Sequence, residues 1–268
     1  MRVGIDFDNT IVSYDALFHK VAVEQGLVPS DVPKSKLAVR DYLRQTDNET
    51  LWTELQGYVY GARMEDAKSY PFVIDFMKFA RSKGISLAIV SHKTKHPFIG
   101  QKYNLHEAAR SWAASKLLDG ASNLIEPNQI FFELTKKEKI ARIANIGCDY
   151  FIDDLPEILL MPGFPQNLQR ILFDPEGTQR TDQQYIKLVS WQEIKTFSRI
   201  ADAWISIKVD NETENPVNGK IEGRSTYRIG MRYTDITKSD RIVWRSKNLE
   251  VMEVVDPDNR RKDLMIKA

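Results

Sequence analysis

From residue 2 to about residue 197, short apolar runs alternate with amphipathic helical patterns, and no other property of the chain restricts its fold as much. Residues 2–7, 85–90, 130–132, 150–152 and 170–173 read as buried strands. Residues 71–83, 106–118 and 136–146 carry helical spacing between them. The last segment has clear boundaries: Thr135 can cap it, Glu138 stands at the third helical position to complete a capping box, and Gly147 stops it. Strand–helix–strand alternation implies a parallel sheet with helices on both faces. Right-handed crossovers then bring every strand's C-terminal end to one edge, where open sheets hold their ligands. The predicted fold is α/β, a Rossmann-like doubly wound parallel sheet.

Two intervals break this rhythm. Between Thr10 and Pro71 lie about sixty residues with no strand pattern, too many for a simple crossover. They carry helical patterns over 16–24, 36–44 and 51–60, and read as a helical cap, an insert over about 13–70 above the sheet edge. After a helical pattern at 191–200 the texture changes. Residues 203–209, 226–233, 242–244, 249–255 and 263–266 alternate, separated by turn material at Asn215-Pro216, Asn218-Gly219 and 256–259. This reads as a small all-β, barrel-like or sandwich domain over 200–268, following a core of 1–199.

Composition excludes several classes of function. A hydrophobic content of 42% and a charged content of 28% are those of a soluble globular chain. The formal charge of +1 argues against broad attraction to nucleic acid or anionic lipid. Cys148 is the only cysteine, so no intrachain disulfide can form, and a reducing compartment is expected. The opening residues lack the apolar stretch of a secretory signal, and no segment approaches the roughly 20 apolar residues that span a bilayer. A cytoplasmic protein without a membrane partner is the expectation.

The chemistry begins at Val3-Gly4-Ile5-Asp6-Phe7-Asp8-Asn9-Thr10. Side chains alternate along a strand, so Asp6 and Asp8 should face the same side as the strand gives way to a loop. Two like charges so close repel unless a cation separates them or one holds a proton. Either remedy makes chemistry, a metal site or an acid–base pair, whereas the plainer reading is two aspartates capping a turn. Ser91 follows the second strand and Asp153-Asp154 follow the fourth, while Lys136, Lys137 and Lys139 share the first turn of the 136–146 helix. The fold brings all of these to one edge. Carboxylates gathered at one point call for a hard cation, and magnesium suits oxygen ligands. An ammonium and a hydroxyl beside it suit the oxygens of a phosphate.

Asp6-Phe7-Asp8-Asn9-Thr10, Ser91 after an apolar strand, a lysine ahead of the last acidic strand, and Ile152-Asp153-Asp154 resemble the four motifs of the haloacid dehalogenase superfamily. The likeness covers about 195 residues, and the helical insert resembles that family's cap. The resemblance implies a magnesium-dependent phosphohydrolase acting on a small phosphomonoester, with Asp6 as the nucleophile that becomes an aspartyl-phosphate. Asp8 would be general acid, then base. Asp6, the Asp8 carbonyl and Asp153 or Asp154 would hold Mg2+. Ser91 and a lysine, Lys139 by its spacing to Asp153 or else Lys136, would bind the phosphate, together with Asn9 and Thr10 of the first motif. Family members that cleave carbon–halogen bonds lack the second aspartate, so Asp8 points to phosphoryl transfer.

Several residues keep two readings. His92, Lys93, Lys95 and His96 follow Ser91 and could meet an acidic substrate or form a solvated loop. Trp52, Tyr58 and Tyr60 could stack on a sugar or base, or pack between cap helices. Cys148 reads as a packed thiol. No glycine-rich dinucleotide fingerprint is present. Beyond the core, residues 227–233, Asp235-Ile236, 241–244, Glu250-Val251, 256–261 and Leu264 resemble a phage head–tail joining (head-closure) domain, a small β-barrel that assembles as a ring. That resemblance implies an alternative, a virion adaptor with virion partners, or a homo-oligomer, in which the first domain is an accessory module.

Overall fold

A central parallel sheet of six strands organises the first 195 residues. The computed structural model describes residues 1–195 and, beyond them, six strands lying between residues 206 and 267. In chain order the first unit, Met1–Lys195, contains β1 (Arg2–Ile5), β2 (Val12–Ser13), β3 (Lys68–Ser69), β4 (Ser86–His92), β5 (Leu118–Asp119), β6 (Ser122–Asn123), β7 (Ile130–Glu133), β8 (Tyr150–Asp153), β9 (Gln169–Phe173) and β10 (Ile186–Leu188). Its helices are α1 (Asp15–Glu24), α2 (Lys36–Gln45), α3 (Glu49–Tyr60), α4 (Val73–Ser82), α5 (Leu105–Lys116), α6 (Lys136–Ile146) and the single turn α7 (Pro156–Leu159).

The sheet order is β10-β9-β8-β1-β4-β7, with every neighbouring pair parallel. From β1 the chain moves outward to β4 and β7, then returns across β1 to β8. Strand order therefore reverses between β1 and β8, and a crevice opens at their C-terminal ends. Leu172 and Phe173 show the two layers, because adjacent strand residues face opposite ways. Leu172 joins Ile140 and Ile143 of α6 and Ile158 and Leu159 of α7 in one apolar cluster. Phe173 faces Trp191, 5.6 Å between ring centroids, whose indole also meets Phe76 of α4. On that side Phe7 packs edge-on against Trp112 and Phe132.

Local chemistry accounts for the boundaries. Thr135 caps α6 in the capping box, and Gly147 ends it at φ 63°. Asn104, its side chain accepting from the Glu107 N–H, starts α5 at Leu105. β1 stops at Ile5, two residues before the expected end, because Phe7 O accepts from both the Ile11 and Val12 amides. That turn needs φ 57° at Asn9, a left-handed conformation asparagine tolerates better than most residues. β4 runs on to His92, past the expected end at Val90. The short edge strand β10 has no sequence signal, since all three of its residues are only half-buried.

The 13–70 insert holds α1, α2 and α3. Its entry and exit are tied by the β2–β3 ribbon, Val12 paired with Ser69 and Ser13 with Lys68. Helix α3 lies against the segment that follows β4. Gly57 and Gly61, one turn apart, make this approach possible: a Cβ on Gly57 would fall 2.7 Å from Pro97 Cβ, and one on Gly61 would fall 2.4 Å from Tyr103 Cγ.

The second unit, Thr196–Ala268, contains β11 (Ser206–Val217), β12 (Lys220–Arg232), β13 (Arg241–Trp244), β14 (Lys247–Glu250), β15 (Glu253–Val255) and β16 (Asp263–Lys267). β11-β12-β16-β15 form an antiparallel sheet, and β13 pairs with β14. Asn215-Pro216, expected as a turn, lies inside β11, whose pairing with β12 continues to Val217. The expected 249–255 strand is divided between β14 and β15, which have different partners. Asn218-Gly219, Tyr233, Asp235-Ile236, Val251 and 256–261, on which the barrel and head–tail readings draw, lie outside the described residues.

Gly61→Ala should cost about 1–3 kcal/mol in urea denaturation, because the new methyl meets the Tyr103 ring in a packed contact. Adding Tyr103→Ala should restore part of that loss, so the pair should be coupled in a double-mutant cycle. Independent, additive effects would show that α3 does not press on this segment.

Candidate active site

The crevice beside β1 and β8 collects the charged side chains. Asp6 extends β1, its N–H donating to Ile152 O at 2.9 Å, and Asp153 ends β8. Asp6, Asp153 and Asp154 each offer an oxygen within 4.8 Å of the others. Lys139, in the first turn of α6 and 2% exposed, donates Nζ–H to Asp6 Oδ1 at 2.5 Å and to Asp153 Oδ2 at 2.6 Å. The Leu155 amide fixes the other Asp153 oxygen at 3.0 Å. Thr10 is fully buried, and its hydroxyl donates to Asp154 Oδ1 at 3.1 Å. The Trp191 indole N–H donates to Thr10 O and fixes the residue that orients Asp154.

Three carboxylates around one ammonium leave an excess of buried negative charge. Burial, opposed by Lys139 and reinforced by Asp153 and Asp8, pushes the Asp6 carboxyl up to about 7. Burial and repulsion from Asp153 and Asp6 push Asp154 well above the ordinary carboxylate range. Lys139 shifts upward, since its two carboxylates outweigh the burial that disfavours its charge. An oxygen-only cluster of this kind fits a hard divalent cation, which would replace the protons that burial forces onto it.

Asp8 has a separate environment. Lys93 Nζ lies 2.9 and 2.8 Å from its two oxygens, and the Tyr14 hydroxyl donates to Oδ1 at 2.5 Å. Burial disfavours the Asp8 charge, but the Lys93 ammonium and these hydrogen bonds overcome it and hold the carboxyl below its usual value. Burial and the Asp8 charge push the Tyr14 phenol well up, so it stays a donor. Lys93 is itself anchored: its N–H donates to Glu133 O at 2.9 Å, and its carbonyl meets His106 Nε2 at 2.8 Å.

Asp6, Asp8, Ser91, Lys139 and Asp154 line one cavity of about 150 Å³. Ser91 is 1% exposed. The cap adds Tyr60 and Lys36, whose Nζ donates to the Tyr60 hydroxyl at 2.7 Å. Proximity to Tyr60, Asp8 and Asp154 raises Lys36 despite its burial. A second cavity, of about 470 Å³, shares Asn9, Lys36 and Asp154 with the first and extends between α2, α3 and the segment after β9.

No family model matches the chain, and no curated protein matches it. Solved structures do. A HAD-superfamily hydrolase from Ehrlichia chaffeensis has 14% identity and a TM-score of 0.42, over 73% of this chain and 94% of that one. A predicted phosphatase from Clostridium acetobutylicum has 15% identity and a TM-score of 0.46, over 74% and 97%. A HAD-superfamily hydrolase of subfamily IA from Geobacter sulfurreducens has 8% identity and a TM-score of 0.45, over 73% and 95%. With so little identity, what the site does is read from its own side chains.

Of the three candidate lysines, Lys139 is the buried one. Lys136 is exposed at the cavity rim and pairs with Glu157, and Lys137 is exposed. Lys93, one of several loop charges to the eye, is a buried partner of Asp8. The missed signal is strand length. With β4 continuing to His92 and the Lys93 amide still in the ladder, Ser91 and Lys93 share a face by alternation. His92 also lines the smaller cavity and meets Leu134 O through Nε2. His96 meets Tyr103 O through Nδ1. Trp52 packs on Phe18 and also lines the larger cavity, while Tyr58 meets Tyr103. Tyr60 does both, packing edge-on against Tyr14 at 4.9 Å while lining the site. Burial pushes the half-buried Cys148 thiol up to about 11, as expected of a packed, unreactive group.

Lys139→Met would leave its carboxylates without their counter-charge and should cost about 3–5 kcal/mol by urea denaturation. The pH dependence has a definite sign. Folding raises the Asp6 pKa, so the stability this group contributes without metal is present at low pH and is lost as pH rises through about 7. A cation competes with that proton. Magnesium should therefore raise the melting temperature more at pH 8 than at pH 6, and an equal increase at both would exclude Asp6 as a titrating ligand.

Proposed function

We propose that the protein is a magnesium-dependent phosphohydrolase acting on small phosphomonoesters through an aspartyl-phosphate on Asp6. One observation carries this reading: Lys139 bridges Asp6 and Asp153 while Asp8, Ser91 and Asp154 line the same small cavity. Asp6, the Asp8 carbonyl and Asp153 or Asp154 would hold the cation, which when bound neutralises the phosphate's charge.

The chain's own groups divide the remaining work. An Asp6 oxygen forms the new bond to phosphorus as the ester P–O bond breaks toward the leaving oxygen. Ser91 and Lys139 donate to the transferring oxygens, where charge gathers. The leaving oxygen takes its proton through Asp8 from the Lys93 ammonium, which contacts both Asp8 oxygens. Water then attacks the aspartyl-phosphate, its proton restores the pair, and the acyl-phosphate P–O bond breaks to free phosphate and Asp6. Asn9 supplies the turn that lets Asp6 and Asp8 meet one cavity, and Thr10 orients Asp154.

Phosphate release from a panel of phosphomonoesters should require magnesium. Asp6→Asn should lower kcat by about 10³-fold or more. Undiminished turnover by that variant would remove the nucleophile from the scheme. Asp8→Asn should cost about 10²- to 10⁴-fold. Lys93→Met should slow release of an alkyl alcohol far more than release of p-nitrophenolate, which leaves with little need of a proton. An equal loss on both leaving groups would separate Lys93 from proton delivery.

A further inference from the structure

The cavity of about 470 Å³ that opens from the reaction site is of a size that small-molecule sites have, and its two arginines are already paired. Among its lining residues are three cations, Lys36, Arg40 and Arg44, all on α2 and spaced four residues apart, so they share a helix face. This row resembles a subsite for a second anion until its partners are considered. Arg44 donates to both Glu49 oxygens, at 2.5 and 2.9 Å. Arg40 donates through Nε and Nη2 to Asp41 Oδ1, at 2.9 and 2.8 Å. Lys36 stands at the junction with the smaller cavity, its Nζ donating to the Tyr60 hydroxyl.

The opposite wall is acidic or neutral. Asp174 is held by Lys187 at 3.0 Å and by the Thr178 and Gln179 amides. Five carboxylates line the cavity against three cations, and Glu176 is exposed there. A second phosphate or a carboxylate would meet the exposed Glu176 carboxylate and two arginines that are already paired. Gln56, Thr178 and Gln179 add neutral donors and acceptors to the lining, and Tyr70 and Phe173 add apolar ring surface. Paired ions with satisfied charges still offer fixed oxygens and N–H groups to a hydroxyl.

From this we infer that the leaving group is a neutral polyhydroxyl compound of sugar size, seated between α2, α3 and residues 173–179. The inference rests on the phosphohydrolase reading and narrows its substrate class to phosphorylated sugars or polyols, against bisphosphates and phosphorylated carboxylic acids. Gln56 and Gln179 are specificity-determining residues in this arrangement.

The test compares kcat/KM for a hexose 6-phosphate, a hexose 1,6-bisphosphate and 2-phosphoglycolate, with p-nitrophenyl phosphate as a generic ester. The hexose monophosphate should lead the bisphosphate and phosphoglycolate by at least tenfold. Gln56→Leu should raise its KM several-fold with kcat nearly constant. Gln179→Lys, on an exposed position that tolerates a charge, should narrow the gap between monophosphate and bisphosphate. Equal or better turnover of either charged competitor, with p-nitrophenyl phosphate hydrolysed and Asp6→Asn inactive, would overturn the neutral-leaving-group assignment alone. Failure on every ester, p-nitrophenyl phosphate included, would bring down the phosphohydrolase reading and this inference with it.

Discussion

A buried ammonium between two buried carboxylates is the contact on which the first unit is built. Taking Lys139, Asp6 and Asp153 out of water costs several kcal/mol per ion, and only close mutual contact offsets it. Such contact needs a rigid frame. Asp6 and Asp153 leave adjacent parallel strands, β1 and β8, while Lys139 comes from the capped first turn of α6. Moving any of the three elements would strand a charge. The site is therefore as rigid as the sheet, and the contact that orients Asp154 is the Thr10 hydroxyl.

A second ion pair divides the labour. Asp8 stands two residues from Asp6 in sequence, yet Lys93 and Tyr14 push its carboxyl in the opposite direction. One aspartate holds its proton up to about neutral pH, and the other stays ionised. Without a cation these shifts are the reverse of what an ionised nucleophile and a protonated acid require, so the proposed reaction depends on the cation to release the Asp6 proton. Tyr14 and Tyr60 come from the insert, so the cap contributes a hydrogen bond to Asp8 and a wall to the smaller cavity.

The cap's attachment follows from small residues. Two glycines on α3 bring it onto the segment after β4, the same segment that begins with Lys93. The β2–β3 ribbon holds the other end. Between these anchors α2 turns a charged face toward the larger cavity, where Arg40 is paired with Asp41 and Arg44 with Glu49.

Much of this was legible in the chain. Periodicity gave the parallel sheet and the insert, because apolar runs of strand length and helical spacing are local properties. The acidic residues at strand ends marked Asp6, Asp8, Asp153 and Asp154, and the spacing to Asp153 favoured Lys139 with Lys136 second. The helix boundaries followed from Thr135, Glu138 and Gly147. Lys93 was not legible, because its role depends on β4 running two residues past its apolar run, and that extension comes from the ladder with β7. Nor were the partners of Arg40 and Arg44, since a guanidinium looks the same in sequence whether it faces Glu49 or an open pocket. By itself, then, the sequence determined which elements form and which carboxylates their ends deliver, for these depend on neighbours along the chain. Only the tertiary structure decided which lysine is buried, which aspartate stays charged and which cations are free, since burial and Coulomb pairing depend on distances between residues far apart in the chain.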